Sequence, residues 1–196
     1  MKHIGSPTSF NCRIVLIGDT NVGKTAILNQ LIDQSFTESF ETTIGANYQL
    51  YVQEINGVKV EIQIWDTSGQ EKFRSLGPIY YRNALGAVLV FDLTNKNSFE
   101  SVPDWITEFT DVATQDTSIF IVANKIDLDS KEVQSEEARN WTINHGYKYF
   151  ETSAKTGSGV KELFQEIATD ILKNRMIKQR EAATTTLVEN DSQCGC

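Results

Sequence analysis

The sequence predicts an α/β domain in which helices cover both faces of a six-stranded, mostly parallel sheet. Apolar runs suited to buried strands alternate along the chain with amphipathic stretches suited to helices. An Asn56-Gly57 pair between two strand-like segments predicts one antiparallel hairpin in that sheet. At 196 residues, the chain is long enough for one such domain and a short extension.

The strands follow from apolar content and alternation. The first apolar run leads into a glycine-rich loop, and the next two segments flank the Asn-Gly turn. The later runs ALGAVLVF and IFIVA are continuously apolar, as strands covered on both faces are. Strands are therefore expected at 13–17, 48–55, 58–65, 84–91, 119–123 and 147–150.

The helices follow from apolar residues recurring at helical spacing, and they are expected at 25–33, 98–114, 135–144 and 159–177. Pro103 fits the second of these only near its start or at a kink. From about 176 the pattern fades into polar residues that cannot form a core. The expected organisation is a flexible N-terminus at 1–10, a folded domain at 11–175 and a disordered tail at 176–196.

Composition narrows the possible functions. The net charge of −8 argues against a nucleic-acid binder, which would normally present a basic face. No apolar run approaches the length of a membrane span, and the first ten residues lack the apolar core of a secretory signal. The cysteines at 12, 194 and 196 show neither disulfide nor metal-ligand spacing, which favours a reduced, cytosolic compartment.

The segment GDTNVGKT, residues 18–25, matches a phosphate-binding loop because a predicted strand precedes it and a helix follows. Gly18 permits the turn, and Gly23 lets the backbone approach the phosphates. Lys24 would reach the β and γ phosphates, and the Thr25 hydroxyl would bind Mg²⁺. Asn21 is expected to keep a glycine-like bend, since asparagine tolerates positive φ. The alternative is a chance glycine turn.

Ligands of such sheets bind at the carboxyl ends of the strands, where two further loops suit phosphate chemistry. Asp66 could hold Mg²⁺ through water, Gly69 could donate its N–H to a γ-phosphate, and Gln70 could orient an attacking water. Thr43, in the loop before the hairpin, could complete the Mg²⁺ shell. Taken singly, each loop could also be an ordinary polar turn.

Two more loops suit a guanine base. The Asp127 carboxylate can accept hydrogen bonds from guanine N1–H and the 2-amino group, which adenine lacks. The stem of Lys125 can cover the base while its ammonium stays in water. Backbone N–H groups of the loop after the last strand could bind guanine O6. These two loops are Asn124-Lys125-Ile126-Asp127 and Thr152-Ser153-Ala154-Lys155.

With all five segments in one order, the sequence resembles the Ras superfamily of small GTPases from about residue 13 to residue 172. The stretches IWDTSGQEKFRS, YYRNA, VFDLTNKNSF and ETSAK are similar to the Rab branch. The resemblance implies the P-loop small-GTPase fold and catalytic roles for Lys24 and Gln70. It adds Val22, Ala26 and Phe36 to the nucleotide contacts, and it implies effector contacts by Ile44, Tyr48, Trp65 and Tyr80.

What the resemblance implies is a Mg²⁺-dependent switch that binds GTP, hydrolyses it to GDP and recruits effectors in vesicle trafficking. Implied partners are an exchange factor, a GTPase-activating protein, effectors, and escort and GDP-dissociation-inhibitor proteins. The Cys-x-Cys ending at Cys194 and Cys196 implies two geranylgeranyl groups on the cytoplasmic face of a membrane. TIGANY and SLGPIYYRNA are most similar to the early-endosomal group, which predicts endosomal membranes.

The sequence departs from the Rab pattern at Ser68, where alanine is usual, and in IGANY at 44–48, where IGVDF is usual. Neither departure removes a nucleotide contact. Two alternatives stay open at this point. One is an ATPase or kinase with the same phosphate loop, and the other is an interaction module that binds nucleotide without hydrolysing it.

Overall fold

The computed structural model describes residues 9–38, 43–114 and 117–191, with the backbone alone from 180 onward. Its sheet has the strand order β2-β3-β1-β4-β5-β6, and of these neighbours only β2 and β3 are antiparallel. This confirms the predicted fold class. The strands are β1 (Ser9–Ile17), β2 (Ala46–Ile55), β3 (Val58–Thr67), β4 (Gly86–Asp92), β5 (Ser118–Asn124) and β6 (Lys148–Glu151).

The turn of the hairpin forms as its residue pair predicts. Asn56 has φ 51° and Gly57 has φ 79°, the two positive values that a type I′ turn requires. The twist of that turn matches the twist of the flanking strands, so β2 and β3 pair from Ala46–Thr67 to Ile55–Val58. This places β2 at one edge of the sheet.

The helices of the described chain lie in the predicted regions, with one division and two additions. The helix expected at 98–114 is two helices that meet at Ser101, and Pro103 lies in the first turn of the second, where its missing N–H costs no hydrogen bond. A 3-10 helix (Glu71–Leu76) and α2 are additional. The α-helices are α1 (Lys24–Asp33), α2 (Gly77–Tyr81), α3 (Lys96–Glu100), α4 (Val102–Thr110), α5 (Ser135–Asn144) and α6 (Val160–Asp191).

Both ends of the expected domain differ from the structure. Strand β1 already begins at Ser9, and α6 continues to Asp191 instead of giving way to a disordered tail near 176. Among the α6 side chains that are described, up to residue 179, Ile171 and Leu172 are the last buried ones, and Met176 is the last that packs partly against the core. The residues after Met176 include several with high helix propensity, which favours continuation of the helix. Residues 192–196 lie outside the described chain.

The sheet separates two apolar layers, as the alternation of side chains in a strand requires. Ile14 and Leu16 of β1 belong to the layer that includes residues of α1 and α6, whereas Val15 and Ile17 belong to the layer with α4 and α5. Each fully buried aliphatic side chain contributes about 1.5–3 kcal/mol. The carboxyl ends of five parallel strands are therefore held at one edge, where their loops meet. In the described part of the chain, no helix has the length and apolarity to cross a bilayer.

Candidate nucleotide-binding site

A cavity of about 410 Å³ opens at the carboxyl edge of the sheet, within the size range of small-molecule sites. It brings together most of the predicted residues: Asn21, Gly23, Lys24, Thr25, Ala26, Phe36, Thr43, Gly69, Asn124, Lys125, Asp127, Ala154 and Lys155. Its wall also contains Thr20, which belongs to the predicted phosphate loop, and three residues that were not predicted, namely Glu38, Thr67 and Leu128. Five predicted residues are not in its wall: Gly18, Val22, Asp66, Gln70 and Ser153.

The phosphate loop has the backbone that its residue types predict. Gly18 and Gly23 have φ values of 133° and 101°, which residues with a Cβ rarely adopt. A side chain at Gly18 would press into the Val90 carbonyl, and one at Gly23 would press into the Asn124 amide. Asn21 has φ 65°, which confirms the expected glycine-like bend.

Lys24 lies almost wholly buried beneath this loop, with 6% of its surface exposed. Its ammonium donates hydrogen bonds to the carbonyl oxygens of Gly18 and Asp19, both at 2.8 Å. Burial lowers the pKa of Lys24 to about 8, and the nearby carboxylates of Asp66 and Asp19 oppose that shift. The ammonium is thus held at the cavity wall in a setting where an added anion would strongly favour its charged form.

The three predicted Mg²⁺ ligands lie together. The Thr25 hydroxyl donates to Asp66 Oδ2 at 2.6 Å and lies 2.9 Å from the Thr43 hydroxyl oxygen. The other carboxylate oxygen of Asp66, Oδ1, is buried without a hydrogen-bond partner. Burial raises the pKa of Asp66, and its bonds to Thr25 and Thr43 and the charge of Lys24 oppose the rise. A cation beside Asp66 would compensate both the burial of the carboxylate and its unpaired oxygen.

This oxygen set suits Mg²⁺. The ion favours hard oxygen ligands and usually keeps several waters and substrate phosphates beside one or two carboxylates. Among the described residues no group of three His, Cys, Asp or Glu side chains could hold a metal ion by itself. One carboxylate and two hydroxyls therefore match a metal that is bound jointly with a phosphate-bearing ligand.

The loop after Asp66 packs against the phosphate loop. A side chain at Gly69 would collide with the backbone of Asp19 and Thr20, so only glycine fits this approach. Ser68 is buried, and its hydroxyl accepts a hydrogen bond from the Gln70 N–H at 3.3 Å. Gln70 precedes the 3-10 helix, and its side chain is not part of the cavity wall. Its catalytic role remains a prediction.

Asn124 connects two loops of the site. Its amide donates to the Val22 carbonyl at 2.8 Å, and its Oδ1 accepts from the Thr152 hydroxyl at 3.1 Å and the Ala154 N–H at 3.2 Å. The side chain is buried, so these contacts are shielded from water. A bond from Ala154 N–H to guanine O6 would have to share a donor that Asn124 already uses.

The ammonium of Lys125 is not simply in water, as the sequence suggested. It lies 2.6 Å from Asp92 Oδ2, and Asp92 Oδ1 accepts from both the N–H and the hydroxyl of Thr94. Lys125 has φ 66°, and its side chain reaches the cavity wall while its charge is held by Asp92. An ion pair therefore orients the stem that was predicted to cover the base.

Asp127 is supported from the neighbouring loop, because the buried Ser153 hydroxyl donates to Asp127 Oδ1. The same hydroxyl accepts from the Thr156 N–H at 3.0 Å, which fixes its direction. At the mouth of the cavity, Lys155 Nζ lies 3.8 Å from the exposed carboxylate of Glu38. This exposed pair contributes little to stability but joins two walls of the cavity.

The predicted effector residues lie on a separate surface. Trp65 stacks with Tyr48 at 5.2 Å between ring centres and packs against Tyr80 at 5.5 Å. Tyr48 is 59% exposed and Ile44 is 81% exposed, so this surface presents apolar area to solvent. The predicted lipid sites, Cys194 and Cys196, lie outside the described residues.

Asp92, Asp19 and Glu38 are among the residues at or behind the site that sequence reasoning missed. Asp92 ends the apolar run of β4, and an acid at the carboxyl end of a central strand was a usable signal. The Asp19 carboxylate accepts a 2.7 Å hydrogen bond from the Trp105 indole N–H, a contact 86 residues apart that no local pattern indicates. Glu38 belongs to the cavity wall without any distinguishing motif.

Comparison with known proteins gives a consistent result. A Ras family model matches residues 13–173. Ras-related protein Rab-8B of Homo sapiens is 40% identical over 161 residues, which cover 82% of this chain and 78% of the relative. Ras-related protein Rab-13 of Canis lupus familiaris is 37% identical, with 82% and 79% covered. Ras-related protein RAB1BV of Beta vulgaris is 40% identical over 179 residues, with 90% and 80% covered.

The family model spans most of the chain, and each of these relatives is a Rab protein. The chain therefore belongs to the Ras family and, within it, to the Rab small GTPases. This confirms the resemblance drawn from the five motifs. Family membership makes the chain a GTP-binding switch of the trafficking type, with nucleotide-exchange factors, GTPase-activating proteins and effectors as its general classes of partner.

Proposed function

We propose that the cavity at the carboxyl edge of the sheet binds guanine nucleotide and that the bound GTP is hydrolysed there to GDP. The observation that carries the proposal is that one cavity has both Lys24 of the phosphate loop and Asp127 of the base loop in its wall. A ligand that meets both needs phosphates at one end and a guanine edge at the other.

Selectivity for guanine rests on Asp127 and its support by Ser153. The Ser153 hydroxyl occupies one carboxylate oxygen and orients the group, while guanine N1–H and the 2-amino group supply two donors to it. Adenine offers neither donor, so it would leave the carboxylate desolvated and unpaired. This argues against the ATPase or kinase alternative.

The phosphates are held from several sides in this proposal. The phosphate-loop N–H groups and Lys24 bind the phosphate oxygens, while Thr25, Thr43 and Asp66 hold Mg²⁺. When bound, Mg²⁺ neutralises charge that develops on the phosphates. Lys24 exchanges its bonds to two backbone carbonyls for bonds to phosphate, and Gln70 turns toward the cavity to align the attacking water.

Intrinsic hydrolysis should be slow, on the order of 10⁻⁴ per second, and an arginine from an activating protein would add about 10³–10⁵-fold. Arg74, the arginine in the 3-10 helix after Gln70, already has partners within the protein. Its guanidinium lies over the Trp105 ring at 4.1 Å, and its Nε is 3.0 Å from Glu108 Oε2. An external arginine is therefore the better candidate.

Switching follows from the position of Thr43 beside the exposed Ile44. A γ-phosphate with Mg²⁺ would fix Thr43, and the loop carrying Ile44 and the surface of Tyr48, Trp65 and Tyr80 would then present one shape to effectors. Loss of the γ-phosphate removes that constraint. Effectors, an exchange factor and a GTPase-activating protein would bind to these loops.

Membrane attachment would use the two terminal cysteines. One lipid chain gives only marginal binding, whereas geranylgeranyl groups on both Cys194 and Cys196 give a stable anchor. Escort and GDP-dissociation-inhibitor proteins would handle the lipidated form between cytosol and the cytoplasmic face of intracellular membranes. The early-endosomal membrane is the proposed destination.

The nucleotide proposal is tested with purified full-length protein. The bound nucleotide is extracted and identified, and single-turnover GTP hydrolysis is compared for the wild type, Gln70→Leu and Gln165→Leu. Gln165 is exposed on α6, so its variant controls for loss of a glutamine. We expect guanine nucleotide in the extract and hydrolysis slowed about tenfold or more only in Gln70→Leu.

Adenine nucleotide in the extract would refute the proposed ligand. Tight guanine binding without hydrolysis by the wild type would instead support the binding-only alternative, which the position of Gln70 outside the cavity wall keeps relevant. Equal rates for all three proteins would remove Gln70 from the mechanism.

The anchor is tested by fractionating cells that express the tagged protein. We expect a Cys194→Ser/Cys196→Ser variant in the soluble fraction and a Cys12→Ala control on membranes, because Cys12 is buried in β1. Membrane association of the double variant contradicts lipid anchoring. Colocalisation of the wild type with markers of other organelles, but not endosomes, contradicts the proposed destination.

A further inference from the structure

Trp105 connects the phosphate loop to the loop after Asp66 through a series of side-chain contacts that no sequence motif indicated. Trp105 lies in α4 and is 2% exposed. Its indole N–H donates to Asp19 Oδ1 at 2.7 Å, which is a short bond for a nitrogen donor. Val102, Ile106 and Phe109 bury α4 against the sheet, so Trp105 is held on a rigid element.

Asp19 lies where three parts of the site meet. Its backbone carbonyl accepts a 2.8 Å hydrogen bond from Lys24, and its backbone is the surface on which Gly69 packs. The next residue, Thr20, lies in the cavity wall. A shift of Asp19 would therefore displace both Lys24 and the backbone surface on which Gly69 packs.

The second contact of this series joins the face of the Trp105 ring to Arg74. The Arg74 guanidinium lies 4.1 Å from the ring centre, and Arg74 Nε lies 3.0 Å from Glu108 Oε2. Glu108 Oε1 also accepts a hydrogen bond from the Tyr81 hydroxyl at 3.1 Å. Arg74 belongs to the 3-10 helix that follows Gln70, so Trp105 fixes that helix relative to the phosphate loop.

We propose that Trp105 is a positioning residue for GTP hydrolysis, which acts through Asp19 on Lys24 and through Arg74 on the segment that carries Gln70. The inference rests on the proposed GTPase function. A displacement of about 1 Å in a reacting geometry can cost about 100-fold in rate. One residue that holds both sides of the γ-phosphate region therefore has a large effect on hydrolysis without touching nucleotide.

The test compares single-turnover GTP hydrolysis at saturating Mg²⁺ in full-length variants. Trp105→Phe removes the indole N–H and keeps an aromatic face for Arg74, so it isolates the bond to Asp19. We expect hydrolysis about tenfold slower, in line with the loss of one hydrogen bond to a charged group. Phe109→Leu is the matched control, because Phe109 lies in the core of the same helix and its ring packs against Tyr81, whereas Asp19 and Arg74 contact Trp105.

A double-mutant cycle makes the test specific. Asp19→Ala should slow hydrolysis as Trp105→Phe does, and the double variant should be no slower than either single variant. Asp19→Asn keeps an oxygen acceptor for the indole and should recover most of the rate lost in Asp19→Ala. Arg74→Gln should slow hydrolysis without accelerating GDP release, because Arg74 does not touch the phosphate loop.

The outcomes distinguish the positioning role of Trp105 from the proposed GTPase function. If the wild type binds and hydrolyses GTP but Trp105→Phe is as fast, or no slower than Phe109→Leu, the positioning role is wrong while the proposed function stands. Additive losses in the double variant also overturn the positioning role. A wild type that does not hydrolyse GTP overturns the proposed function and the inference with it.

Discussion

Replacing Asn124 should destabilise the nucleotide site and accelerate nucleotide release, because this side chain joins the phosphate loop to the loop after β6. Asn124→Ala removes three buried hydrogen bonds, to Val22, Thr152 and Ala154. At about 1 kcal/mol each, their loss lowers the free energy of unfolding by about 3 kcal/mol. The former partners become buried polar groups without a bond, so 3 kcal/mol is near the lower end of the expected range.

The structure also separates the part of this effect that reaches the nucleotide. Asn124→Asp keeps acceptors for Thr152 and Ala154 but places a carboxylate oxygen against the Val22 carbonyl. Of the three bonds it therefore removes the one to the phosphate loop, and it adds the cost of a buried carboxylate. Thr152→Val does the reverse, because it removes one bond on the base side and leaves the bond to Val22 intact. The two variants are nearly isosteric with the wild type.

The assay measures release of a fluorescent GDP analogue at fixed Mg²⁺ and denaturant unfolding at one fixed nucleotide concentration, since bound nucleotide itself stabilises the fold. We expect faster release, by about tenfold or more, in Asn124→Ala and Asn124→Asp. We expect near-normal release in Thr152→Val, and in Asn140→Ala as an exposed asparagine control. Release from Asn124→Asp as slow as from Thr152→Val would refute the claim that Asn124 holds the phosphate loop.

Three further predictions concern the phosphate loop and the proposed metal site. Because the pKa of Lys24 is lowered to about 8 and bound phosphates favour the charged ammonium, binding above pH 8 takes up a proton. Nucleotide affinity measured by titration should then fall by up to about tenfold per pH unit above 8. In Lys24→Arg, whose side chain stays charged, affinity should depend less on pH. Equal slopes of affinity against pH in the two proteins would contradict this explanation. Chelating Mg²⁺ should accelerate nucleotide release from the wild type. The Asp66→Asn variant should release nucleotide quickly with or without chelator. If chelation accelerates release from that variant as much as from the wild type, Asp66 does not belong to the metal site. Asn21→Ala should lower the free energy of unfolding by about 1 kcal/mol because alanine is strained at φ 65°, while Asn21→Gly adds no strain; equal losses in both variants contradict the backbone explanation.

The fold was predictable because its signals are local. Short, β-branched apolar runs such as IFIVA favour strands covered on both faces, and Asn56-Gly57 favours one type of turn. The ends of the elements were less predictable, as Ser9 and the extended α6 show. Polar residues such as Ser9 join β1 through backbone pairing with β3, and high helix propensity favours the continuation of α6 past its last described core contact at Met176. Neither backbone pairing nor helix propensity produces a periodic pattern of apolar residues in the sequence.

The site was predictable only in part, for a related reason. Glycine, lysine and aspartate in fixed spacing indicated most of the residues that line the cavity, because each supplies a particular chemistry. The contacts that hold those residues join distant segments: Asn124 to Val22 across 102 positions, and Trp105 to Asp19 across 86. Such partners depend on the order of strands in the sheet, which a single motif does not contain.

Residues of one motif therefore divide into two roles that the sequence does not distinguish. Lys24 and Asp127 face the cavity, whereas Gly18 and Ser153 lie outside its wall and support what faces it. The phosphate loop receives support from both sides, from Asn124 after β5 and from Trp105 in α4. Since both supports are buried side chains on fixed elements, we expect the loop to keep one conformation while, in the proposed function, the segments around Thr43 and Gln70 respond to the γ-phosphate. A switch of this kind needs that difference, because a phosphate loop that moved with them could not hold the ligand that moves them.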